Sequence, residues 1–200
     1  SMFLPACGHS AKRTSTQVIK ENNSSIQYAK GFALYHEAKR TRVVVFDPWQ
    51  KGKIMARFVL VKKEAAKGQI HIPLNNVAVF SATQLNALDQ LGMLDRVMGI
   101  SEATYAKNKT VISLLKQHKI TELAAGGNYY VEKILAHPPQ AVFFSPYQSN
   151  QGLPVALSGI RAVPYLDFME NSPLGRAEWI KFTAAFFGKE KQADSLFREI

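Results

Sequence analysis

The chain has 200 residues, 46% of them hydrophobic and 20% charged, with a single cysteine. That is the composition of a folded chain with ample length for a core, and it excludes disordered, collagen-like, disulfide-stapled and thiolate-zinc architectures. The net charge of +10 is regional: residues 1–63 hold 12 Lys/Arg against 3 acids, whereas residues 120–200 hold 7 against 8. A basic excess alone would allow a nucleic-acid partner. No helix-turn-helix, zinc-finger or RNA-recognition pattern accompanies it, so no nucleic acid is expected. No apolar run reaches the roughly 18–20 residues of a membrane-spanning helix.

Ser1-Met2 reads as a cloning remnant. Phe3-Leu4-Pro5-Ala6-Cys7-Gly8 resembles the end of a bacterial lipoprotein signal, in which a small residue precedes the cysteine that becomes lipidated. Cys7 is therefore the expected lipidation site. The Ser-, Thr-, Asn- and Lys-rich stretch that follows reads as a tether, so residues 1–28 are set apart from the fold.

Residues 31–37 and 41–47 are β-rich runs separated by Ala38-Lys39-Arg40 and read as a hairpin. Asp47-Pro48-Trp49-Gln50-Lys51-Gly52 supplies turn chemistry, and residues 54–62 form a third strand of this basic antiparallel meander. From Asn75 the pattern changes. Residues 77–81 read as a short buried strand, and residues 83–91 as a helix with Leu85, Leu88 and Leu91 on one face, ended by Gly92. Residues 97–100 give another strand, 131–136 a short helix stopped by Pro138-Pro139, and 141–145 a buried strand. Residues 151–158 are expected to be helical, and 162–166 to be an edge strand because of Pro164. Ser172-Pro173 is an N-cap followed by proline at the first helical position, opening a helix to Gly188 with Trp179, Phe182, Phe186 and Phe187 towards the core. Strands alternating with helices predict a layered α/β fold with a mostly parallel central sheet flanked by helices, preceded by the meander.

Catalytic signatures are missing. His9, His36, His71, His118 and His137 are scattered, and neither a G-x-S-x-G elbow nor a phosphate-binding glycine loop occurs. Gly126-Gly127 reads as a turn. Neither a catalytic residue nor a metal-ligand set is assigned, and no enzyme or cofactor is expected. In open α/β sheets, ligands bind outside the carboxyl ends of the strands. Ser81 and Thr83, Ser145, Tyr147 and Gln148, and Tyr105 occupy such ends and are the candidate ligand-binding residues. N-capping by Ser81 or Thr83 is the competing explanation for that pair.

VAVFSATQLNALDQLGMLDRVMGISEATY resembles the opening of the iron-complex and cobalamin class of ABC-transporter substrate-binding proteins. Gly126 to Val142, Gly159 to Pro164, and Ser172 to Phe182 with Phe187-Gly188-Lys189-Glu190 resemble further segments of that family, in its order. The resemblance implies two α/β lobes joined by a long helix, with the ligand held between them. This chain would supply residues 29–188 as the N-terminal lobe and 189–200 as the start of the inter-lobe helix, without a second lobe. It implies capture of a ferric siderophore, haem or cobalamin, delivery to an ABC permease, and an envelope or periplasmic, lipid-anchored location. Glu132 matches the surface glutamate with which the family meets its permease. A truncated lobe would expose an apolar stripe along 189–200, from which a dimer through that helix is expected. The alternative is a chelatase-like or nucleotide-binding enzyme on the same layered fold.

Overall fold

A computed structural model describes residues 24–149 and 151–200; Cys7 and His9 lie outside the described residues. Strands β1 (Phe32–Glu37), β2 (Arg40–Phe46) and β3 (Ile54–Val61) form the expected meander, to which β4 (Ile70–His71) adds in parallel. Phe32 faces Val45 and Glu37 faces Arg40 across a two-residue turn. Alternation then sends Phe32, Leu34, Val43, Val45, Phe58 and Leu60 into the main core, while Ala33, Tyr35 and Val44 gather on the opposite face.

The second sheet has the order β10-β9-β5-β6-β7-β8, built from β5 (Val77–Val79), β6 (Val97–Ser101), β7 (Thr121–Ala125), β8 (Asn128–Tyr129), β9 (Ala141–Phe144) and β10 (Arg161–Pro164). Neighbours run parallel except β8, which returns antiparallel to β7. The layered, mostly parallel architecture is therefore present. Strands buried on both faces read as unbroken apolar runs, as in Val77-Ala78-Val79 and Ala141-Val142-Phe143-Phe144. Pro164 sits on the edge strand, where its missing N–H breaks no ladder. Gly126-Gly127 is the β7–β8 turn, with both φ positive at 57° and 77°.

Five α-helices accompany the sheets among the described residues: α1 (Ala82–Gln90), α2 (Lys109–Lys116), α3 (Val131–Ala136), α4 (Pro173–Phe187) and α5 (Glu190–Arg198). Helix α4 has the predicted ends: Ser172 Oγ accepts from Gly175 N at 3.0 Å, and Gly188 closes it at φ 65°. It is apolar on nearly all sides because it lies between the two sheets. Its Trp179 and Phe182 meet Phe32 of the meander at 4.7 and 5.4 Å, and its Phe186 meets Phe143 of the parallel sheet at 5.3 Å. Burying each of Phe182 and Phe186 stabilises the fold by roughly 2–3 kcal/mol.

Two expectations change. Residues 151–158 form only a short 3-10 turn at Val155–Leu157, because Pro154 denies the segment an N–H for a longer helix. The apolar stripe of 189–200 is turned inward: Ala193 is fully buried, and Leu196 and Phe197 pack with Leu91, Ile180 and Ala184. The face expected to pair with a second copy is thus used within the chain, leaving Ile200 exposed.

Within the segment read as tether, the described residues from Ser24 onward are tied into the fold. Ser24 Oγ accepts from Leu34 N at 3.3 Å. Two buried carboxylates then hold the following backbone. Glu178 of α4 accepts from the N–H groups of Gln27, Tyr28 and Ala29 at 3.0, 2.6 and 2.8 Å. Glu170 accepts from Lys30 N, Gly31 N and Trp179 Nε1 at 2.9, 2.8 and 2.9 Å. Their separation in sequence hides that they serve one five-residue segment.

Candidate ligand-binding edge

The strand order sets the carboxyl ends of β10, β9, β5, β6 and β7 side by side. Each predicted residue can be placed along this edge. Ser81 follows β5 and is the N-cap of α1, its Oγ accepting from Gln84 N at 3.4 Å and lying 2.9 Å from Thr83 Oγ1. Ser81 is buried, so capping accounts for it, while Thr83 is exposed on the first turn. Tyr105 lies beyond β6 and is 75% exposed. Beyond β9, Ser145 is half-buried, Gln148 is exposed and Tyr147 is 72% exposed, its N–H held by Gln151 Oε1 at 2.7 Å. In the sheet order β5 lies between β9 and β6, so Ser81 and Thr83 follow the strand between the two that lead to Tyr147 and Tyr105, and Thr83 reaches towards Asp167 after β10.

Several edge residues carry no sequence signal of their own. Phe80 packs against Tyr129 with ring centroids 5.5 Å apart. Burial raises the Tyr129 phenol above its ordinary value, and the neighbouring Tyr147 hydroxyl adds to the rise. Phe80 and Tyr129 therefore form an aromatic pair between the end of β5 and β8, with the Tyr147 hydroxyl near it. After β10, burial pushes the Asp167 carboxyl above the usual carboxylate range, against the opposing pull of Thr83, the Phe168 N–H and Arg176. Tyr165 beneath it is fully enclosed, and its phenol is also raised, by burial first and by Asp167 second. Phe168 and Met169, next in sequence, are exposed.

At the end of β6, Glu102 takes a left-handed conformation at φ 52°, uncommon for a residue with a side chain. Its backbone N–H donates to Ala124 O at 2.9 Å and its carboxylate accepts from Gly126 N at 2.6 Å. That carboxylate pins the β7–β8 turn to the edge.

The meander reaches the same edge through its β2–β3 turn. Asp47 Oδ1 accepts from Trp49 N at 2.9 Å and Gln50 N at 3.1 Å, which shapes the turn. Ser149, in the loop after β9, donates to Asp47 Oδ2 and accepts from Gln50 Nε2. Sequence reasoning separates these residues by about a hundred positions and has no means to join them.

Glu132 stands exposed in the first turn of α3, next to a shallow concavity of about 360 Å³ formed by Tyr130, Val131, Glu132 and Lys133. Lys133 lies 4.6 Å above the Tyr130 ring. Among the described residues, no three His, Cys, Asp or Glu side chains gather as a metal-holding group.

No family profile matches the chain. Two proteins of Methanocaldococcus jannaschii, each named an uncharacterized lipoprotein, are similar to it: one is 30% identical over 96% of this chain and 53% of its own length, the other 26% identical over 88% and 47%. The chain thus spans about half the length of the curated relatives it matches. Among solved structures, a petrobactin-binding protein from Bacillus subtilis aligns with TM-score 0.54 and 18% identity over 79% of this chain and 49% of its own. A siderophore-binding protein solved with acinetobactin and ferric iron aligns with TM-score 0.55 and 24% identity over 72% and 48%. A periplasmic binding protein from Veillonella parvula aligns with TM-score 0.53 and 13% identity over 81% and 51%. Over about half the length of those proteins, the chain has the periplasmic-binding-protein fold.

Proposed function

We propose that this chain is the N-terminal lobe of an envelope-anchored substrate-binding protein that captures a metal chelate and delivers it to an ABC permease. The observation that carries the reading is the carboxyl edge of the parallel sheet, where Thr83, Tyr105 and Tyr147 are exposed after three neighbouring strands of a periplasmic-binding-protein fold. Aromatic faces beside a few fixed polar groups suit a partly apolar ligand with polar edges, such as a ferric siderophore, haem or a corrinoid. The names of the similar structures, which include siderophore binders, and of the relatives, which are lipoproteins, support an iron chelate and a lipid anchor on Cys7.

In this reading binding requires no bond to be made or broken. Tyr105, Tyr147 and Thr83 touch the chelate from one side, a second lobe covers it from the other, and Glu132 meets the permease. The inter-lobe connection begins within residues 189–200.

The test uses the protein at its natural length, titrated with ferric siderophores, haem and cobalamin and followed by visible absorbance and equilibrium dialysis. Saturable binding at micromolar or lower dissociation constants, weakened by Tyr147→Ala with unchanged melting, is the expected result. Failure to bind any of them while folded overturns the reading.

A further inference from the structure

A positive excess gathers at one end of the meander. There the β1–β2 hairpin lies beside the end of β3, Arg40 facing Val61, around a concavity of about 730 Å³. Lys39, Arg40, Lys62 and Lys63 line it, as do Glu37, Glu64 and Glu190. Within two positions of any lining residue stand Arg42, Lys67, Lys189 and Lys191, and no further acid. Eight cations therefore meet three carboxylates, an excess of five positive charges with every acid counted as ionised. Glu37 is shared by Arg40 and Arg42. Lys39, Lys62, Lys63 and Lys67 are exposed, and among the described residues none of them has a carboxylate within salt-bridge distance.

The floor is apolar, made by the buried Leu60, Val61 and Ile72. Lysine stems around an apolar floor suit the headgroup region of a lipid surface. A single-stranded nucleic acid calls for stacking rings, and among the described residues no Phe, Tyr or Trp lines the concavity. Its place in the fold points the same way. Strand β2 runs from this end to the β2–β3 turn, which Ser149 ties to the loop after β9. The seven residues of β2 separate the two ends by about 20 Å, so contact here leaves the ligand-binding edge uncovered. The first described residues meet the fold on this side. Ser25 N donates to Leu34 O at 3.0 Å, and Ser25 Oγ lies 3.2 Å from Nε2 of His36, which lines the concavity.

We infer that this basic end of the meander is a membrane-contact surface for anionic phospholipid headgroups. The inference goes beyond the transport reading and rests only on the envelope location proposed with it. A lipid on Cys7 holds the protein at a bilayer, and the basic end sets which side of the lobe faces it. The two contacts reinforce each other, because the anchor raises the local concentration of headgroups around the patch.

The experiment uses the natural-length protein carrying Cys7→Ser, so that no lipid contributes, in co-sedimentation with vesicles of phosphatidylcholine alone or mixed equally with phosphatidylglycerol. Binding to the mixed vesicles at about 0.1 M salt, absent from pure phosphatidylcholine and lost by about 0.5 M, is expected. Each lysine near an anionic surface strengthens binding about fivefold, so Lys62→Gln/Lys63→Gln should weaken it about 25-fold with an unchanged melting temperature. Lys51→Gln/Lys53→Gln, which removes two exposed charges from the opposite end of the meander, should match the parent. Equal binding to both vesicles, binding to neither, equal loss in the two variants, or tighter binding to duplex DNA at matched phosphate concentration overturns the inference. Chelate titrations on the same protein are read separately. Any of those vesicle results leaves the transport reading standing, and failure to bind a chelate overturns that reading while the vesicle result stands.

Discussion

Replacing Glu178 is the most direct test of how the chain is locked into its fold. The Glu178 side chain is wholly buried, and its carboxylate accepts from three consecutive backbone N–H groups, with Lys181 Nζ 3.5 Å away. Glu178→Ala removes every one of those acceptors. Each buried donor left without a partner costs about 1–3 kcal/mol, but the segment can peel away and hydrate, which caps the loss. A total of about 3–5 kcal/mol follows, the range for breaking a buried charged network. For a chain of this size 1 kcal/mol moves the melting temperature by about 2–4 °C, so a fall near 10 °C is expected. Glu178→Gln keeps one acceptor oxygen and should lose about half as much. The assay is thermal unfolding by circular dichroism, paired with hydrogen exchange at the amides of Gln27, Tyr28 and Ala29. A fall of less than about 2 °C in Glu178→Ala, with those amides still protected, would refute the clasp as an energetic element.

Ser81→Ala should lower the melting temperature by the 2–4 °C that a lost N-cap worth about 1 kcal/mol implies, while chelate affinity stays the same; a large loss of affinity would restore Ser81 to the binding surface. Asp167 gives a pH-dependent prediction. Its folded-state pKa is raised by burial, so the folded protein holds the proton more tightly than the unfolded chain, and stability declines as pH rises from the ordinary carboxylate range through the raised value. Asp167→Asn should therefore be more stable than the wild type at neutral pH, with the advantage disappearing below about pH 4. Melting curves collected from pH 3 to 8 check this, and an advantage that grows on acidification would contradict it. Gly99→Ala places a Cβ within 2.1 Å of Leu123 Cδ1 and 3.3 Å of Thr121 O, and the strain should cost about 1–3 kcal/mol by urea denaturation.

The elements with strong local chemistry were legible from the sequence. Alternation in residues 32–46 placed the hairpin, and Ser172-Pro173 with Gly188 bounded α4 to the residue. Pro164 identified an edge strand. Local pattern failed where tertiary contact decides. Residues 151–158 have helical composition, but Pro154 and the packing of Leu157 stop them at one turn. Helix α2 had a readable signal that the expectations above omit: Asn108 caps it, accepting from Val111 N, and Val111, Leu114 and Leu115 share helical spacing. At the candidate site, the rule that ligands bind at strand ends located Thr83, Tyr105 and Tyr147 without naming their company. Phe80 with Tyr129, and Asp47 with Ser149, meet only because β5, β8, β9 and the meander converge. Such pairs have no periodicity to read.

That convergence explains why a basic meander precedes the parallel sheet at all. A parallel sheet with helices could present its carboxyl edge unaided. Here α4 has a sheet on each side, and its aromatic residues bind Phe32 and Phe58 as closely as they bind Phe143 and Tyr165. The meander is consequently part of the same core. Its β2–β3 turn is fixed at both ends, by packing at the strands and by Ser149 at the tip.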